Sequence, residues 1–163
     1  MKNTLYLDMD GVVADFNEYA YRVHGFDPEV EYPDHLWNQI AQNDRLYREL
    51  KKTPYADDLV NYCRTFTRMN KMNLYFLTAV PKTNKIHWAF YDKVQWAQFY
   101  FTDIPVHFGP FSQNKHTHCI PGDILIDDRQ SNINEWIIAG GLGILHETFE
   151  ETIKCLKIYE SKA

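Results

Sequence analysis

Two aspartates stand two positions apart at the end of a short apolar stretch near the start of the chain. Asp8 and Asp10 follow the apolar residues 5–7 and precede Gly11. Two ionised carboxylates this close repel each other unless a cation or a shared proton lies between them. A hard divalent cation with oxygen ligands, above all Mg²⁺, resolves the repulsion and leaves one carboxylate oxygen free to react. The spacing therefore indicates a metal-dependent reaction centre.

An ordinary turn is the main alternative at this position. Asp and Gly after a strand commonly form a simple turn, in which Gly11 only lets the backbone bend sharply. A calcium loop of the EF-hand type fits poorly, because that loop carries its glycine at the sixth position and a glutamate at the twelfth. Gly11 is instead the fourth residue counted from Asp8. The downstream sequence has to decide between a turn and a site.

The length and charge of the chain limit its functions. With 163 residues, the chain is expected to form one domain with a substantial core. It has 17 basic and 22 acidic residues, a net charge of −5, and no run of five basic residues. Electrostatic binding to a nucleic-acid polymer is therefore disfavoured. A single nucleotide with a metal to neutralise its phosphate remains compatible.

Other features favour a cytoplasmic protein. The sequence enters a predicted strand within a few residues of Met1 and shows no charged-then-apolar leader, so we expect no secretory signal. No apolar stretch approaches the length of about 18 residues that a membrane span needs. Cys63, Cys119 and Cys155 are odd in number and far apart, which is typical of reduced thiols in the cytosol. The sequence leaves a homodimer open without requiring one.

Strand and helix patterns alternate along most of the chain. Apolar runs predict strands at residues 5–7, 72–78, 104–108, 124–126 and 142–145. Between them, helices are predicted around residues 59–66 and 84–100, after a cap at Ser131, and after a capping box formed by Thr148 and Glu151. This alternation indicates an α/β fold with a parallel sheet that helices cover on both faces.

One segment interrupts the alternation. Residues 15–52, called the inserted segment below, are predicted to form a small, mostly helical cap, with helices over 15–24 and about 35–50. The predicted core then consists of residues 1–14 and 53–163. The inserted segment is rich in aromatic side chains, namely Phe16, Tyr19, Tyr21, Phe26, Tyr32, Trp37 and Tyr47.

Polar side chains end three of the predicted strands: Asp8 and Asp10, Thr78, and Asp127 and Asp128. The carboxyl ends of parallel strands lie along one edge of the sheet, so these groups can converge although they are far apart in sequence. Lys115 precedes the last pair and can supply a cation to the same edge. Four carboxylates, a hydroxyl and a lysine at one edge suit the binding of a phosphate through a metal.

In these motifs the sequence resembles the haloacid dehalogenase-like (HAD-like) superfamily of phosphotransferases. The resemblance rests on the DMDGVV motif at residues 8–13, then Thr78, Lys115 and the pair at 127–128, in that order over about 120 residues. Within the superfamily, DMDGVVADF followed by a short helical cap, together with LIDDR near the end, is most similar to the 5′(3′)-deoxyribonucleotidases. The resemblance implies a Rossmann-like HAD core, Mg²⁺ as cofactor, and hydrolysis of nucleoside monophosphates.

The resemblance also implies roles for individual residues. Asp8 would be the nucleophile that forms an aspartyl-phosphate, which water then hydrolyses. Asp10 would act as general acid and base, because a nucleoside alkoxide is a poor leaving group that needs a proton. Thr78 and Lys115 would hold the phosphoryl oxygens and stabilise charge in the transition state.

The implied metal site contains Asp8, Asp10, Asp127 and Asp128. Asp10 would bind Mg²⁺ through its backbone carbonyl. Asp128 is expected to be the direct ligand of the last pair and Asp127 to lie behind it, an order that the sequence alone leaves open.

One departure from the resemblance concerns the substrate. The nucleotidase branch typically has serine and proline after the threonine, whereas Thr78 is followed by Ala79, Val80 and Pro81. The missing hydroxyl affects the identity of the substrate more than the type of reaction. Aromatic side chains of the inserted segment can stack on a base, which typically contributes about 1–3 kcal/mol per base. They can equally form the segment's own small core.

Several other interpretations stay open. His116 and His118 alternate in a strand-like pattern and could share a face that binds zinc. The lysines that compete with Lys115 for the phosphate are Lys82, Lys85 and Lys93. The chain could act on another small phosphate ester or on the 3′-phosphate of a nucleic acid, or it could bind nucleotides without catalysis. The presence of nucleophile and acid together argues against a silent binding protein.

Overall fold

The computed structural model describes residues 2–26, 34–43, 45–82 and 86–160. Its centre is one sheet of five parallel strands in the order β3-β2-β1-β4-β5. The strands are β1 (Thr4–Leu7), β2 (Asn73–Thr78), β3 (Val106–Phe108), β4 (Ile124–Asp127) and β5 (Leu142–Leu145). Two of the three inner strands, β1 and β4, are buried along their whole length, as expected for strands covered on both faces. The predicted α/β fold is confirmed.

Helices lie around this sheet and a short 3₁₀ helix spans Ser112–His118. The α-helices are α1 (Phe16–His24), α2 (Asp34–Asn43), α3 (Leu46–Glu49), α4 (Ala56–Met69), α5 (Ala89–Tyr100), α6 (Gln130–Ile138) and α7 (Phe149–Glu160). Successive side chains of a strand point to opposite faces. In β1, Leu5 and Leu7 accordingly join the larger buried cluster, whereas Tyr6 joins a smaller cluster with Trp136 on the other face. Both faces of the sheet are therefore packed.

Some predicted helix boundaries are wrong. The helix predicted over about 35–50 is two helices, α2 and α3. The helix predicted from 84 begins only at Ala89, and residues 84 and 85 lie outside the described residues. α6 begins one residue before Ser131, with Arg129 as its N-cap, so Ser131 caps nothing. The capping box of α7 is confirmed, because the Thr148 hydroxyl accepts a hydrogen bond from the Glu151 N–H at 3.2 Å.

The inserted segment contains α1, α2 and α3 and joins the core at a narrow neck. An antiparallel bridge pairs Ala14 with Lys52, and the Thr53 N–H donates to the Val13 carbonyl at 3.0 Å. The two ends of the segment therefore lie side by side, and the division into a core and a cap stays a prediction. The apolar residues of the segment belong to the same buried cluster as the sheet, and they are Phe16, Tyr19, Ala20, Leu36, Ile40, Leu46, Tyr47 and Leu50.

A buried carboxylate fastens the segment to α5. The side chain of Asp92 is fully buried and receives two hydrogen bonds from the Arg45 guanidinium, at 2.8 and 2.5 Å. A paired guanidinium and carboxylate form a charge-assisted contact of defined geometry. One turn further along α5, the Trp96 indole N–H donates to the Leu50 carbonyl at 2.7 Å. The inserted segment is thus held against the helix that follows β2.

Two further expectations concern location and thiols. In the described part of the chain, no helix has the length and apolar character needed to cross a bilayer. Cys63, Cys119 and Cys155 are all free thiols.

Candidate active site

The loop after β1 brings Asp8 and Asp10 to the carboxyl edge of the sheet. Asp8 continues the strand, because its N–H donates to the Ile126 carbonyl at 2.9 Å, and its Oδ1 accepts from the next N–H at 2.7 Å. The chain then turns back on itself through Gly11, whose φ is +77°. A Cβ at this position would lie only 2.2 Å from Oδ2 of Asp128. Glycine is therefore required both by the turn and by the close approach of a second carboxylate.

Lys115 is the centre of the first group of site residues. Its ammonium lies 2.8 Å from Oδ1 of Asp8 and 2.6 Å from Oδ2 of Asp127, and only 2% of its side chain is exposed. Asp127 is itself saturated, because it also accepts from the Arg129 N–H at 2.9 Å and from the Asn132 amide at 3.0 Å. The 3₁₀ helix and the end of β4 therefore place Lys115 between the carboxylates of Asp8 and Asp127.

Asp8, Asp127 and Asp128 form a group called the carboxylate cluster below. One oxygen from each lies within 4.8 Å of the others, and no other set of three His, Cys, Asp or Glu residues meets this criterion within the described residues. Three carboxylates at this spacing can surround one small cation with oxygen ligands. The arrangement is thus suited to Mg²⁺.

The electrostatics of the cluster indicate a shortage of positive charge. Burial raises the pKa of Asp8 to about 8, an effect that Lys115 opposes and the neighbouring carboxylates reinforce. Asp128 is exposed by area, yet protein atoms crowd its carboxyl group, and this desolvation together with Asp127 raises its pKa to about 6. Burial works to lower the pKa of Lys115, but Asp8 and Asp127 outweigh it and raise that pKa. A bound cation would relieve the repulsion that burial makes costly.

The second group of site residues surrounds Lys93 of α5. Its ammonium lies 2.5 Å from Oδ2 of Asp10 and donates to the Thr78 hydroxyl at 2.9 Å. Lys93 is almost wholly buried, with 1% of its side chain exposed. The ring of Tyr47, from the inserted segment, covers the ammonium at 4.5 Å from the ring centroid. Asp10 and Thr78 therefore share a buried cation that is distinct from Lys115.

The sequence named Lys93 only as a competitor of Lys115. The sequence contains a stronger indication that Lys93 is buried. Lys93 lies at helical spacing from Ala89, Trp96 and Ala97, which form the buried face of α5. A charged residue on such a face needs a buried partner. Of the other competing lysines, Lys82 is exposed and Lys85 lies outside the described residues.

Other predicted groups do not join the site. His116 and His118 lie on the 3₁₀ helix rather than on a strand, so the premise of a shared zinc-binding face is wrong. The His118 Nε2 contacts the Phe108 carbonyl at 2.9 Å, while Nδ1 of His116 lies 3.6 Å from Glu135. The two imidazoles thus face different neighbours.

Three aromatic side chains of the inserted segment pack together, with the ring of Phe16 against those of Trp37 and Tyr47. Phe16 stacks on Trp37 with ring centroids 5.7 Å apart, and Phe16 and Tyr19 are buried. Tyr21 is exposed, and Tyr32 lies outside the described residues. Tyr47 is the member that reaches the ammonium of a site lysine.

The net charge of the site supports a divalent cation. When all four carboxylates of the site are ionised, those of Asp8, Asp10, Asp127 and Asp128, they outnumber the two buried ammonium groups by two, and the guanidinium of Arg129 offsets part of the charge of Asp128. A divalent ion would reduce the remaining negative charge before an anionic substrate binds. The donor set, consisting of carboxylate oxygens, is the kind that Mg²⁺ prefers.

The comparison with protein families identifies the chain. The model of the family described as "5′ nucleotidase, deoxy (Pyrimidine), cytosolic type C protein" matches residues 2–153. The chain belongs to this family. Membership makes it a HAD-like hydrolase of phosphoric monoesters, in agreement with the resemblance in the DMDGVV and LIDDR motifs.

One of the solved structures similar to this chain, with a TM-score above 0.5, supports the fold. A hydrolase from Streptococcus pneumoniae TIGR4 has 15% sequence identity and a TM-score of 0.51, over 96% of this chain and 100% of the other. The HAD domain of effector protein Lem4 from Legionella pneumophila has 13% identity and a TM-score of 0.47, over 98% of this chain and 94% of the other. Among curated proteins, none matches this sequence.

Proposed function

We propose that this family member is a Mg²⁺-dependent phosphatase that hydrolyses (deoxy)ribonucleoside monophosphates through an aspartyl-phosphate. The observation that carries the proposal is that two neighbouring carboxylates each contact a different buried lysine. Asp8 contacts Lys115 within the carboxylate cluster, whereas Asp10 contacts Lys93, which also donates to Thr78. Asp8 can therefore act as the nucleophile while Asp10 acts as general acid and base.

The first step forms a bond between a carboxylate oxygen of Asp8 and the phosphorus atom. The bond between phosphorus and the ester oxygen breaks, and the leaving alkoxide takes a proton from Asp10. Lys115 lies 2.8 Å from Oδ1 of Asp8, so it orients the nucleophile and brings positive charge toward the phosphoryl oxygens. In the second step, a water molecule attacks the phosphorus atom of the aspartyl-phosphate and gives its proton to Asp10. Inorganic phosphate leaves and Asp8 is regenerated.

The metal would be held by Asp8, Asp128 and the backbone carbonyl of Asp10. Both oxygens of Asp127 already accept hydrogen bonds, from the side chains of Lys115 and Asn132 and from the Arg129 N–H. This favours Asp128 as the direct metal ligand, with Asp127 next to it and not in contact with the metal. Bound Mg²⁺ supplies positive charge that offsets the repulsion between Asp8 and the phosphate. The protein's own part is to align the nucleophile, and Lys115 favours its ionised form against the effect of burial.

The substrate is proposed to be a small molecule with a nucleoside group. The family description names deoxy and pyrimidine nucleotides, and the inserted segment brings the aromatic ring of Tyr47 to the site. The missing serine after Thr78 leaves room for another small phosphate ester. A cytoplasmic location and a homodimer stay predictions.

The test is the release of phosphate, with and without Mg²⁺, from a panel of 5′- and 3′-nucleoside monophosphates, deoxy and ribo, a sugar phosphate, and an oligonucleotide with a 3′-phosphate. Asp8→Asn is the control, because it keeps the volume of the side chain and removes the nucleophile. Metal-dependent turnover of nucleotides that Asp8→Asn abolishes is the expected result. If only sugar phosphates are hydrolysed, the proposed nucleotide substrate is wrong and the substrate is a sugar phosphate. If phosphate is released from the 3′ end of a nucleic acid, the substrate is a polymer. Nucleotide binding without turnover would contradict the proposed catalysis.

A further inference from the structure

We infer that Lys93 is a positioning residue that orients Asp10, and that Tyr47 of the inserted segment holds Lys93 in place. The inference rests on the proposed function, in which Asp10 transfers the protons. It adds a residue of α5 and a residue of the inserted segment to the machinery.

The contacts of Lys93 account for its burial. An ammonium group away from water needs hydrogen-bond acceptors or other partners around it. Asp10 and Thr78 accept at 2.5 and 2.9 Å, and the face of the Tyr47 ring lies on a further side at 4.5 Å. An aromatic face attracts a cation most strongly where water is excluded. The side chain is thus held by three different elements and has little freedom.

This contact divides the two oxygens of Asp10. Oδ2 is taken by Lys93, whereas Oδ1 is buried and has no hydrogen-bond partner within the described residues. A buried acceptor without a partner is costly, so Oδ1 is left for a group that the protein does not supply. Without Lys93, nothing in this contact would distinguish the two oxygens, and the carboxyl group could rotate away from the leaving group. Lys115 cannot substitute, because Asp8 and Asp127 already engage it.

A positioning role predicts a dependence on the leaving group. Departure of a nucleoside alkoxide needs a proton from Asp10, whereas p-nitrophenolate leaves readily without one. Loss of Lys93 should therefore slow the hydrolysis of a nucleotide far more than that of p-nitrophenyl phosphate. If Lys93 only bound the phosphate, both substrates would suffer equally. The quantity to compare is kcat/KM, because it reports the steps up to cleavage of the ester and omits the shared second step.

The experiment uses Lys93→Met in the full-length protein, with Lys82→Met, an exposed lysine, as matched control. We expect kcat/KM for a nucleotide to fall by about 100-fold or more, the usual scale of general acid catalysis, and by less than about 5-fold for p-nitrophenyl phosphate. Lys93→Met should also show a burst of p-nitrophenolate, because Asp10 is then misplaced as the base of the second step. Lys82→Met should match the wild type on both substrates.

Tyr47 supplies a second pair of variants. Tyr47→Phe is the conservative variant that keeps the ring over the ammonium, whereas Tyr47→Leu removes the ring and should lower the nucleotide kcat/KM selectively, by about 3- to 10-fold relative to Tyr47→Phe. This pair carries the test if Lys93→Met does not fold. Equal losses on both substrates, or no loss on either, would overturn the inference.

The experiment also distinguishes an error in the proposed substrate from an error in the role of Lys93. If the wild type hydrolyses no nucleotide, glycerol phosphate replaces the nucleotide as the ester with a poor leaving group, and the comparison with p-nitrophenyl phosphate still tests Lys93. A wild type that hydrolyses neither kind of ester would overturn both proposals.

Discussion

Replacing Gly11 with alanine is expected to remove Asp128 from the carboxylate cluster while leaving the fold in place. The new Cβ would lie 2.2 Å from Oδ2 and 2.6 Å from Cγ of Asp128. Atoms that are not bonded do not approach this closely, so the Asp128 side chain has to turn away. It lies at an exposed position and can do so without disturbing the core. Its place beside Asp8 is then lost.

The cost in stability should come from the backbone alone. Gly11 has a φ of +77°, in the left-handed region, where a residue with a Cβ loses about 1–2 kcal/mol. Gly25 is a matched control, because its φ is +71° and no atom of the described residues lies within 4 Å of the place that a Cβ would take. Gly11→Ala and Gly25→Ala are therefore expected to lower the free energy of unfolding by similar amounts, about 1–2 kcal/mol each.

The assay measures phosphate release at a series of Mg²⁺ concentrations, with urea unfolding of the same samples. Mutation of residues that only hydrogen-bond to a metal ligand weakens metal binding by about 10- to 100-fold. Displacement of the proposed ligand Asp128 should have at least this effect, so Gly11→Ala should need at least about tenfold more Mg²⁺ for half its maximal rate. Gly25→Ala should keep the wild-type requirement. A single Mg²⁺ requirement shared by all three proteins would refute the reasoning.

Two further predictions concern the pH dependence of the site and the attachment of the inserted segment. Because the pKa of Asp8 is about 8 without metal, a proton competes with Mg²⁺ below that pH, and the affinity should rise about tenfold per pH unit up to pH 8 and then level off. Mg²⁺ titrations between about pH 6 and 9 measure this, and an affinity that does not change with pH would contradict it. Asp92→Asn removes the charge that pairs with Arg45. Since that guanidinium is 43% exposed, the free energy of unfolding should fall by only about 1 kcal/mol in urea unfolding, and an unchanged midpoint would show that the ion pair contributes nothing.

The amino-acid sequence determines the order of the elements and the convergence of the strand-end residues. Runs such as 5–7 and 124–126 are apolar throughout because both faces of an inner parallel strand are buried, a property that is visible locally. Once the strands are parallel, the groups that end them must share an edge. The meeting of Asp8 with Asp127 therefore follows from sequence pattern alone, although the two residues are far apart along the chain.

Local pattern also explains the errors at helix boundaries. The stretch 35–50 contains Asn43 and Asp44, which are poor helix formers, and it divides into α2, which ends at Asn43, and α3, which begins at Leu46. The alternation at His116 and His118 suited a strand, but the chain forms a 3₁₀ helix that directs Lys115 inward, toward Asp8 and Asp127. At the 3₁₀ helix, a long-range contact overrides the local preference.

Only the tertiary structure decides how the charges are shared within the site. The sequence offered four lysines for one predicted role, and the fold gives two of them a carboxylate each, Lys115 to Asp8 and Lys93 to Asp10. The second pair is separated by 83 residues and depends on how α5 packs against the sheet and on the ring of Tyr47 above it. Such pairing depends on distances of a few ångströms between elements, whereas sequence periodicity specifies only which face of each element is buried.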